Sequence, residues 1–131
     1  MKNNNQIRNL LIIFGVIIVL AFGYSYYDKQ QPGKLDTFAQ CLTEKNAKFY
    51  GAFWCPHCQS QKALFGKSKD KLSYVECSTP DGKSQTEECK TKGVTSYPSW
   101  EFASTTSTST ELVAGELTLL ELSGKTGCQL P

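Results

Sequence analysis

Two cysteines separated by a Pro-His dipeptide are the most reactive group in this sequence. Cys55 and Cys58 lie in the run Trp-Cys-Pro-His-Cys. On a helix, residues three positions apart lie on one face about a turn apart, so the two sulfur atoms can form a reversible disulfide. The thiolate is the form of cysteine that attacks disulfides. The pair therefore predicts thiol–disulfide exchange.

The residues around the pair predict a strand that leads into a helix. Residues 48–54 are rich in aromatic side chains with small residues between them, which is typical of a buried central strand. Pro56 fits the first turn of a helix, where a missing N–H costs nothing, so Cys55 falls at or beside the N-cap. Amide donors and the helix dipole stabilise a thiolate there. We therefore predict that Cys55 is the nucleophile and that Cys58 resolves the mixed disulfide.

This segment resembles the active-site segment of the thioredoxin superfamily. Trp54–Cys58 is similar to the motif of disulfide oxidases of the DsbA kind. The longer run Y-G-A-F-W-C-P-H-C-Q-S-Q-K resembles the thioredoxin-like domains fused to, or working beside, bacterial vitamin K epoxide reductase (VKOR) homologues. A second segment, residues 93–102, reads G-V-T-S-Y-P-S-W-E-F and resembles the part of the superfamily that carries a cis-proline facing the disulfide. The two matches and the helices between them cover roughly residues 35–128.

The resemblance implies a fold and several site residues. The fold is α/β and thioredoxin-like, with a four-stranded mixed sheet flanked by helices, without the usual first strand, after an N-terminal transmembrane helix. Pro98 would be the cis-proline, the backbone of Tyr97 would pair with an extended substrate, and the proline would keep a metal from the dithiol. Trp54 would line the substrate surface, with a packing role as its alternative. A loop proline without a role is the alternative for Pro98.

The residues that tune the reduction potential differ from those of thioredoxin itself. The resemblance implies that His57 helps to stabilise the reduced thiolate, which moves the potential from about −270 mV in thioredoxin toward about −120 mV in DsbA. An exposed histidine without a tuning role is the alternative. Thioredoxin-type reductases usually carry a buried acid six residues before the first active cysteine, and here that position is Phe49. The missing proton acceptor argues against fast thioredoxin-like reduction.

Length and composition limit the classes of function. The 131 residues support one domain with a modest core. Lys2 and Arg8 account for the formal charge of +2, because the rest of the chain carries equal numbers of basic and acidic residues. With Arg8 as the only arginine and no basic cluster, nucleic acid is excluded as an expected partner. Six cysteines in so short a chain indicate an oxidising compartment.

The N-terminus predicts a membrane-targeting segment. Residues 9–27 carry no charge and are long enough to cross a bilayer, with tyrosines at the end as an interfacial belt. Residues 21–23 offer small side chains at a cleavage-like spacing, so a signal peptide is the alternative. In either case the preceding basic residues direct the rest of the chain out of the cytoplasm, to the periplasmic, extracellular or lumenal side. We expect an anchor or signal segment over 1–27, a linker over 28–34 and a thioredoxin-like domain over 35–131.

Local patterns predict the elements that position the dithiol. Apolar residues at helical spacing, strand alternation and capping boxes locate them. The first half predicts a helix over 35–42 with Asp36 as N-cap, the strand over 48–54, and a helix from Pro56 to about Lys67 followed by a solvated turn. A strand over 72–77 and a short helix to Lys92, opened by a Ser84/Glu87 capping box, come next. The last elements are strands over 99–102 and 111–114 around a loop of Ser and Thr over 104–110, and a helix opened by a Thr118/Glu121 capping box.

Four cysteines remain beside the dithiol, and they allow three pairings. Cys77 closes a strand and Cys89 lies in the next helix across a short loop, so the local choice is a bridge between these two. By elimination Cys41 would pair with Cys128 and tie the last helix to the first. The functional alternative is that Cys77 and Cys89 are a second redox pair. No metal site and no cofactor are expected.

The leading function is a membrane-tethered thiol–disulfide oxidoreductase acting on exported cysteine-containing proteins. The resemblance implies reoxidation by a VKOR-like integral-membrane partner, since the sequence contains no multi-helix quinone-binding segment. A reductase of the cytochrome c maturation kind is the second enzymatic interpretation. A zinc site built from Cys55, Cys58, Cys77 and Cys89 fits poorly, because the second pair is widely spaced. The last alternative is a non-catalytic binding module stapled by disulfides.

Overall fold

The computed structural model describes residues 2–103 and 109–131. They form two compact units, Met1–Pro32 and Gly33–Pro131. The boundary between them falls inside the segment 28–34. In chain order the elements are α1 (Lys2–Gln30), α2 (Asp36–Glu44), β1 (Lys48–Gly51), α3 (Pro56–Ala63), a 3-10 helix (Gly66–Lys71), β2 (Ser73–Glu76), α4 (Glu87–Thr91), β3 (Ser99–Ala103), β4 (Thr110–Ala114) and α5 (Leu119–Thr126).

The first unit is a single long helix. Within α1, the stretch Asn4–Gln30 has a mean hydropathy of 2.2 and is long and apolar enough to cross a membrane. A signal sequence near an N-terminus has the same length and composition, so both interpretations of this segment remain. The helix extends beyond the uncharged run at both ends, because the polar residues that flank it are compatible with helical backbone.

The second unit is built on a mixed sheet with the strand order β2-β1-β3-β4. β1 pairs with β2 in parallel and with β3 antiparallel, and β3 pairs with β4 antiparallel. The strand that leads to the dithiol is therefore central. No strand precedes β1 in the described residues. This architecture confirms the predicted fold of a four-stranded mixed sheet flanked by helices.

Aromatic side chains of the central strands form the core. Phe49 stacks on Trp100 with ring centroids 4.9 Å apart, and Trp100 stacks on Phe102 at 6.2 Å. The predicted apolar face of α2 packs into the same cluster, which also includes Leu122 of α5. Burial of such large side chains stabilises a fold by about 1.5–3 kcal/mol each. The core thus fixes the end of β1, from which the dithiol projects.

The segment around the dithiol differs from its prediction at both ends. β1 ends at Gly51, not at Trp54, because the amide of Cys55 bonds back to the carbonyl of Ala52 and turns the chain. Phe53 and Trp54 are consequently half exposed, not buried. α3 ends at Ala63, and the predicted solvated turn is the 3-10 helix, since the side chain of its buried Ser68 accepts a hydrogen bond from Leu35. The first difference thus comes from a turn between residues three apart, and the second accompanies a contact between residues 33 apart.

The helix caps were predicted with mixed success. Thr118 and Glu121 form the predicted reciprocal capping box of α5. Asp36 is the first residue of α2 and not its N-cap, which is Leu35. The Ser84 capping box is wrong as well: α4 begins after Thr86, because the backbone of Ser84 is bonded to Thr79 in a turn. Of the predicted Ser and Thr loop, residues 104–108 lie outside the described residues, while Thr110 belongs to β4.

Candidate active site

Cys55 caps the N-terminus of α3. Its backbone is extended, with φ −79° and ψ 117°, and Pro56 is the first helical residue. The amide of Cys58 donates a hydrogen bond to Cys55 Sγ over 3.3 Å. A helix N-terminus has such unpaired amides because its first turn lacks intrahelical acceptors. The local sequence therefore places a sulfur atom where negative charge on it is stabilised.

Both thiols of the pair are free, and they differ in access to solvent. Cys55 retains 5% of its surface, whereas Cys58 is completely buried. Burial, together with the hydrogen bond to Cys55, raises the pKa of Cys58 to about 12. At neutral pH Cys58 is therefore a protonated thiol behind the outer sulfur. This asymmetry agrees with the roles predicted for the two residues.

A glycine allows the helix to approach the sheet at this point. A Cβ on Gly51 would lie 3.0 Å from Cys58 Sγ and 3.1 Å from Cε2 of Tyr74. Both distances are shorter than ordinary van der Waals contacts, so a larger residue would push the resolving sulfur away from β1. Gly51, the last residue of β1, is therefore the small residue that allows α3 to pack against the sheet at the dithiol.

The segment 93–102 comes to the dithiol from the opposite side. The Tyr97–Pro98 peptide bond is cis, and Pro98 is fully buried. The carbonyl oxygen of Tyr97 lies 3.8 Å from Cys55 Sγ. The two segments on which the resemblance rested, 42 residues apart in sequence, therefore meet at the outer sulfur.

Trp54 forms the rim of a groove beside the dithiol. Its side chain is 52% exposed, its indole N–H donates to Ser78 Oγ over 2.8 Å, and its ring meets the edge of Tyr97 at 6.2 Å. The groove has a volume of about 400 Å³, and its other walls come from the turn after β2 and the segment before β3. The exposed face of Trp54 leaves room for the predicted contact with substrate, while its contacts with Ser78 and Tyr97 fit the alternative of packing.

His57 lies on the solvent side of the site. The imidazole is 72% exposed, and its Nδ1 is 2.5 Å from Oε1 of Glu116. Glu116 belongs to the loop between β4 and α5, which the buried Gln61 of α3 holds by two hydrogen bonds to the backbone of Leu117. Neither Glu116 nor Gln61 was found from the sequence. No local pattern could have indicated them, because the contacts span 56 to 59 residues.

The other four cysteines are bonded in two disulfides. Cys41 is joined to Cys128, and Cys77 to Cys89, which are the pairings that the sequence favoured. Cys77 and Cys89 are fully buried beside Tyr50. Since both of these thiols are consumed, the four-cysteine zinc site weighed from the sequence does not form. In the part of the chain that the structure describes, no cluster of His, Cys, Asp and Glu is suited to hold a metal ion.

Comparison with known proteins agrees with this geometry. The thioredoxin family model matches residues 34–124. The thiol-disulfide oxidoreductase LTO1 of Arabidopsis thaliana is 37% identical in an alignment of 97 residues that covers 70% of this chain and 24% of the relative. The chain thus spans about a quarter of the length of that relative. Because the family model matches well over half of the chain and includes every strand of the sheet, the chain belongs to the thioredoxin family.

Proposed function

We propose that this protein is a membrane-tethered thiol–disulfide oxidoreductase that forms or isomerises disulfides in exported proteins. The observation that carries the proposal is the contrast among its six cysteines, all of which lie in the described residues. Four are bonded in pairs, while Cys55 and Cys58 remain free thiols at the start of a helix. The homology to a thiol–disulfide oxidoreductase supports a redox enzyme.

Substrate oxidation starts from the Cys55–Cys58 disulfide. A substrate thiolate attacks Cys55 Sγ, a mixed disulfide forms, and Cys58 leaves with the electron pair as a thiolate that then takes up a proton. A second substrate thiolate attacks the mixed disulfide, so the substrate gains a disulfide and Cys55 leaves as a thiolate. The enzyme has then gained two electrons. In isomerisation, the reduced Cys55 thiolate attacks a substrate disulfide and releases one substrate thiolate. A substrate thiolate then attacks the mixed disulfide and releases Cys55 as a thiolate, so the enzyme neither gains nor loses electrons.

The groove beside Trp54 and the backbone of Tyr97 would hold the substrate. An extended chain laid along Tyr97 and Pro98 would bring a cysteine to Cys55 Sγ, because the Tyr97 carbonyl already lies 3.8 Å from that atom. The exposed indole of Trp54 would cover an apolar substrate side chain. His57 would favour the reduced form by stabilising negative charge at the helix start.

The tether and the electron acceptor are part of the proposal. α1 has the length and composition of a membrane span, and the basic residues Lys2 and Arg8 precede its apolar part. The positive-inside tendency then directs the thioredoxin-like unit to the extracytoplasmic side, where disulfides persist. The proposed reoxidant is a VKOR-like integral-membrane oxidase, which would remove two electrons per cycle. The resemblance of residues 50–62 to VKOR-associated domains supports this partner.

The reduction potential of the Cys55/Cys58 pair tests the redox direction. The full chain, in detergent, would be equilibrated against glutathione buffers, and the redox state of each cysteine would be read by mass spectrometry. We expect a potential well above the value of about −270 mV for thioredoxin, with the other four cysteines still bonded. A value at or below that of thioredoxin would support the reductase interpretation instead. A pair that never exchanges would leave a non-catalytic binding module.

The partner needs a separate experiment. The reduced full chain would be reconstituted in vesicles with a VKOR-like membrane oxidase and quinone, and reoxidation of the dithiol would be followed by alkylation. We expect reoxidation that depends on both the oxidase and the quinone, and that Cys55→Ser abolishes. The same rate without the oxidase would contradict the proposed partner but not the dithiol chemistry.

A further inference from the structure

The buried sulfur of the dithiol must carry negative charge in either direction of the proposed reaction. When substrate sulfur attacks Cys55, the Cys55–Cys58 bond breaks and Cys58 takes the electron pair. In the reverse step, Cys58 must lose its proton before it attacks Cys55 and releases substrate thiolate. Cys58 is completely buried, and a charge without compensation is costly there. A nearby cation would therefore act on both directions.

Lys62 occupies the position that this cation would need. It lies four residues after Cys58 on α3, one helical turn away on the same face, and its side chain is half buried. Lys62 Nζ lies 3.4 Å from the centre of the Tyr74 ring. The Tyr74 ring edge and Cys58 Sγ both lie about 3 Å from the point where a Cβ on Gly51 would be. The Tyr74 ring thus neighbours both Lys62 Nζ and Cys58 Sγ.

Glu76, whose negative charge also acts on Lys62, is held by other hydrogen-bond donors. Oε2 of Glu76 accepts the Tyr74 hydroxyl at 2.7 Å, and Oε1 accepts the backbone amides of Ser78 at 2.9 Å and Phe53 at 3.2 Å. With three donors to its carboxylate, Glu76 is oriented by the end of β2, and no ion pair between it and Lys62 is formed among the described residues. Among the described residues, the ammonium of Lys62 therefore lies over the Tyr74 ring without a carboxylate in ion-pair contact.

The electrostatic coupling has the expected sign. Burial is the largest effect on the pKa of Cys58 and raises it, while the positive charge of Lys62 has a smaller effect that lowers it. Burial lowers the pKa of Lys62, and the charges of Glu76 and Cys58 act to raise it. Three titratable groups interact electrostatically with Cys58 besides Lys62: Cys55 at the N-cap of α3, Tyr74 on β2 and Tyr97 beside Pro98. Those that interact with Lys62 besides Cys58 are Glu76 on β2 and Lys69 and Asp70 of the 3-10 helix.

We propose that Lys62 is a positioning residue of the dithiol reaction, which stabilises the thiolate of Cys58 from behind while substrate approaches Cys55 from the opposite side. This proposal rests on the proposed function. The position of the usual buried proton acceptor holds Phe49, and Lys62 would favour the Cys58 thiolate in another way, by its positive charge. A groove of about 380 Å³ opens at Lys62 and Tyr74, so solvent reaches the lysine side chain.

The test follows the two sulfurs separately. The reduced full chain, in detergent, would be mixed with a nitrobenzoate disulfide reagent. Cys55 attacks first and releases one coloured thiolate; Cys58 then attacks the mixed disulfide and releases a second. In Lys62→Met we expect an unchanged first phase and a second phase slowed about tenfold, with its pH midpoint about one unit higher. Lys62→Arg should restore the second phase to within about threefold, since the cation is retained.

Lys125→Met is the matched control. Lys125 of α5 also lies over an aromatic ring, 5.3 Å from the centre of Phe102, but it pairs with Glu111 of β4. We expect both phases to keep the rates of the unmodified chain. Circular dichroism of each variant separates a folding defect from a chemical one.

The outcomes divide cleanly. A second phase in Lys62→Met that keeps both its rate and its pH midpoint would overturn the role of Lys62 while leaving the proposed function intact. So would equal slowing in Lys62→Arg, because a merely structural role would be lost in both variants. Absence of the first phase in the unmodified chain would instead refute the proposed dithiol enzyme itself.

Discussion

Two cysteine pairs lie within 35 residues of this chain, and the structure treats them in opposite ways. Cys55 and Cys58 are free and lie at a helix start, where Cys55 is 5% exposed. Cys77 and Cys89 are bonded and fully buried, in a cluster with Tyr50. The functional groups are identical. The difference teaches that access for a third sulfur, more than the presence of two nearby thiols, separates a reactive pair from a structural one.

The surroundings of the two pairs reinforce this contrast. Around Cys55 lie the exposed ring of Trp54 and the imidazole of His57, which leave room for a partner chain. Around Cys77 and Cys89, by contrast, the bond closes a loop between β2 and α4 and no sulfur surface remains. The interpretation of Cys77 and Cys89 as a second redox pair therefore loses support, since an attacking thiolate could not reach either sulfur.

The largest expected effect separates the pairs by activity. Cys55→Ser should lower the rate of disulfide exchange with a reduced substrate protein by at least about a thousandfold, because the hydroxyl cannot form the mixed disulfide. Exchange would be measured as reactivation of a scrambled or reduced substrate protein. The matched control, Cys77→Ala with Cys89→Ala, should retain the rate per folded molecule. An equal loss of exchange rate in both variants would contradict the assignment of a reactive and a structural cysteine pair.

For the free energy of unfolding we expect the opposite ranking, with the larger effect at Cys77 and Cys89. Removal of the Cys77–Cys89 bond is expected to lower the free energy of unfolding by about 3 kcal/mol, because the bond closes a loop with a sequence separation of 12 residues. Reduction of a Cys55–Cys58 disulfide opens a much shorter loop and should change the free energy of unfolding far less. Chemical denaturation of the two variants and of the reduced chain would measure both. A smaller loss for Cys77 and Cys89 than for the dithiol would contradict this assignment.

Acid should weaken the region of the buried pair. Glu101 is buried; burial alone would raise its pKa, but hydrogen bonds from Lys92 and the hydroxyl of Tyr50 outweigh it and hold the pKa at about 2. Because this value lies below that of an unfolded chain, the stabilisation is present above pH 4.5 and is lost as the pH falls toward 2. We expect a loss on the order of 2 kcal/mol, which Glu101→Gln should remove from the pH profile of unfolding.

The smallest effect concerns the dipeptide between the reactive cysteines. His57→Ala should lower the reduction potential by about 20 mV, since the ring is exposed and contacts the carboxylate of Glu116. Glu116→Gln leaves the imidazole in place and should change the potential by less. Glutathione equilibration measures both. A potential that rises in His57→Ala would mean that the histidine does not stabilise the reduced pair.

Much of the fold was accessible from local patterns because its signals are local. The four strands, the N-terminal apolar helix and the Thr118/Glu121 capping box were predicted from alternation, hydropathy and spacing, and the structure contains them. The errors fall where a turn replaces the regular element that the residue types favour. Trp54 has the aromatic character of a buried strand but lies outside it, because the turn at Ala52 ends β1 early.

The sequence by itself determined the chemistry: a Pro after Cys55 starts a helix, and three-residue spacing puts Cys58 beside it. Only the tertiary structure decided what surrounds the two sulfurs. Lys62 meets Tyr74, and Glu116 meets His57, because β2 pairs with β1 and the loop after β4 folds over α3. Local patterns extend over a few residues, whereas these contacts join segments that come together only when the whole core packs. The reactive pair is thus encoded locally, and the environment that tunes it is encoded by the fold.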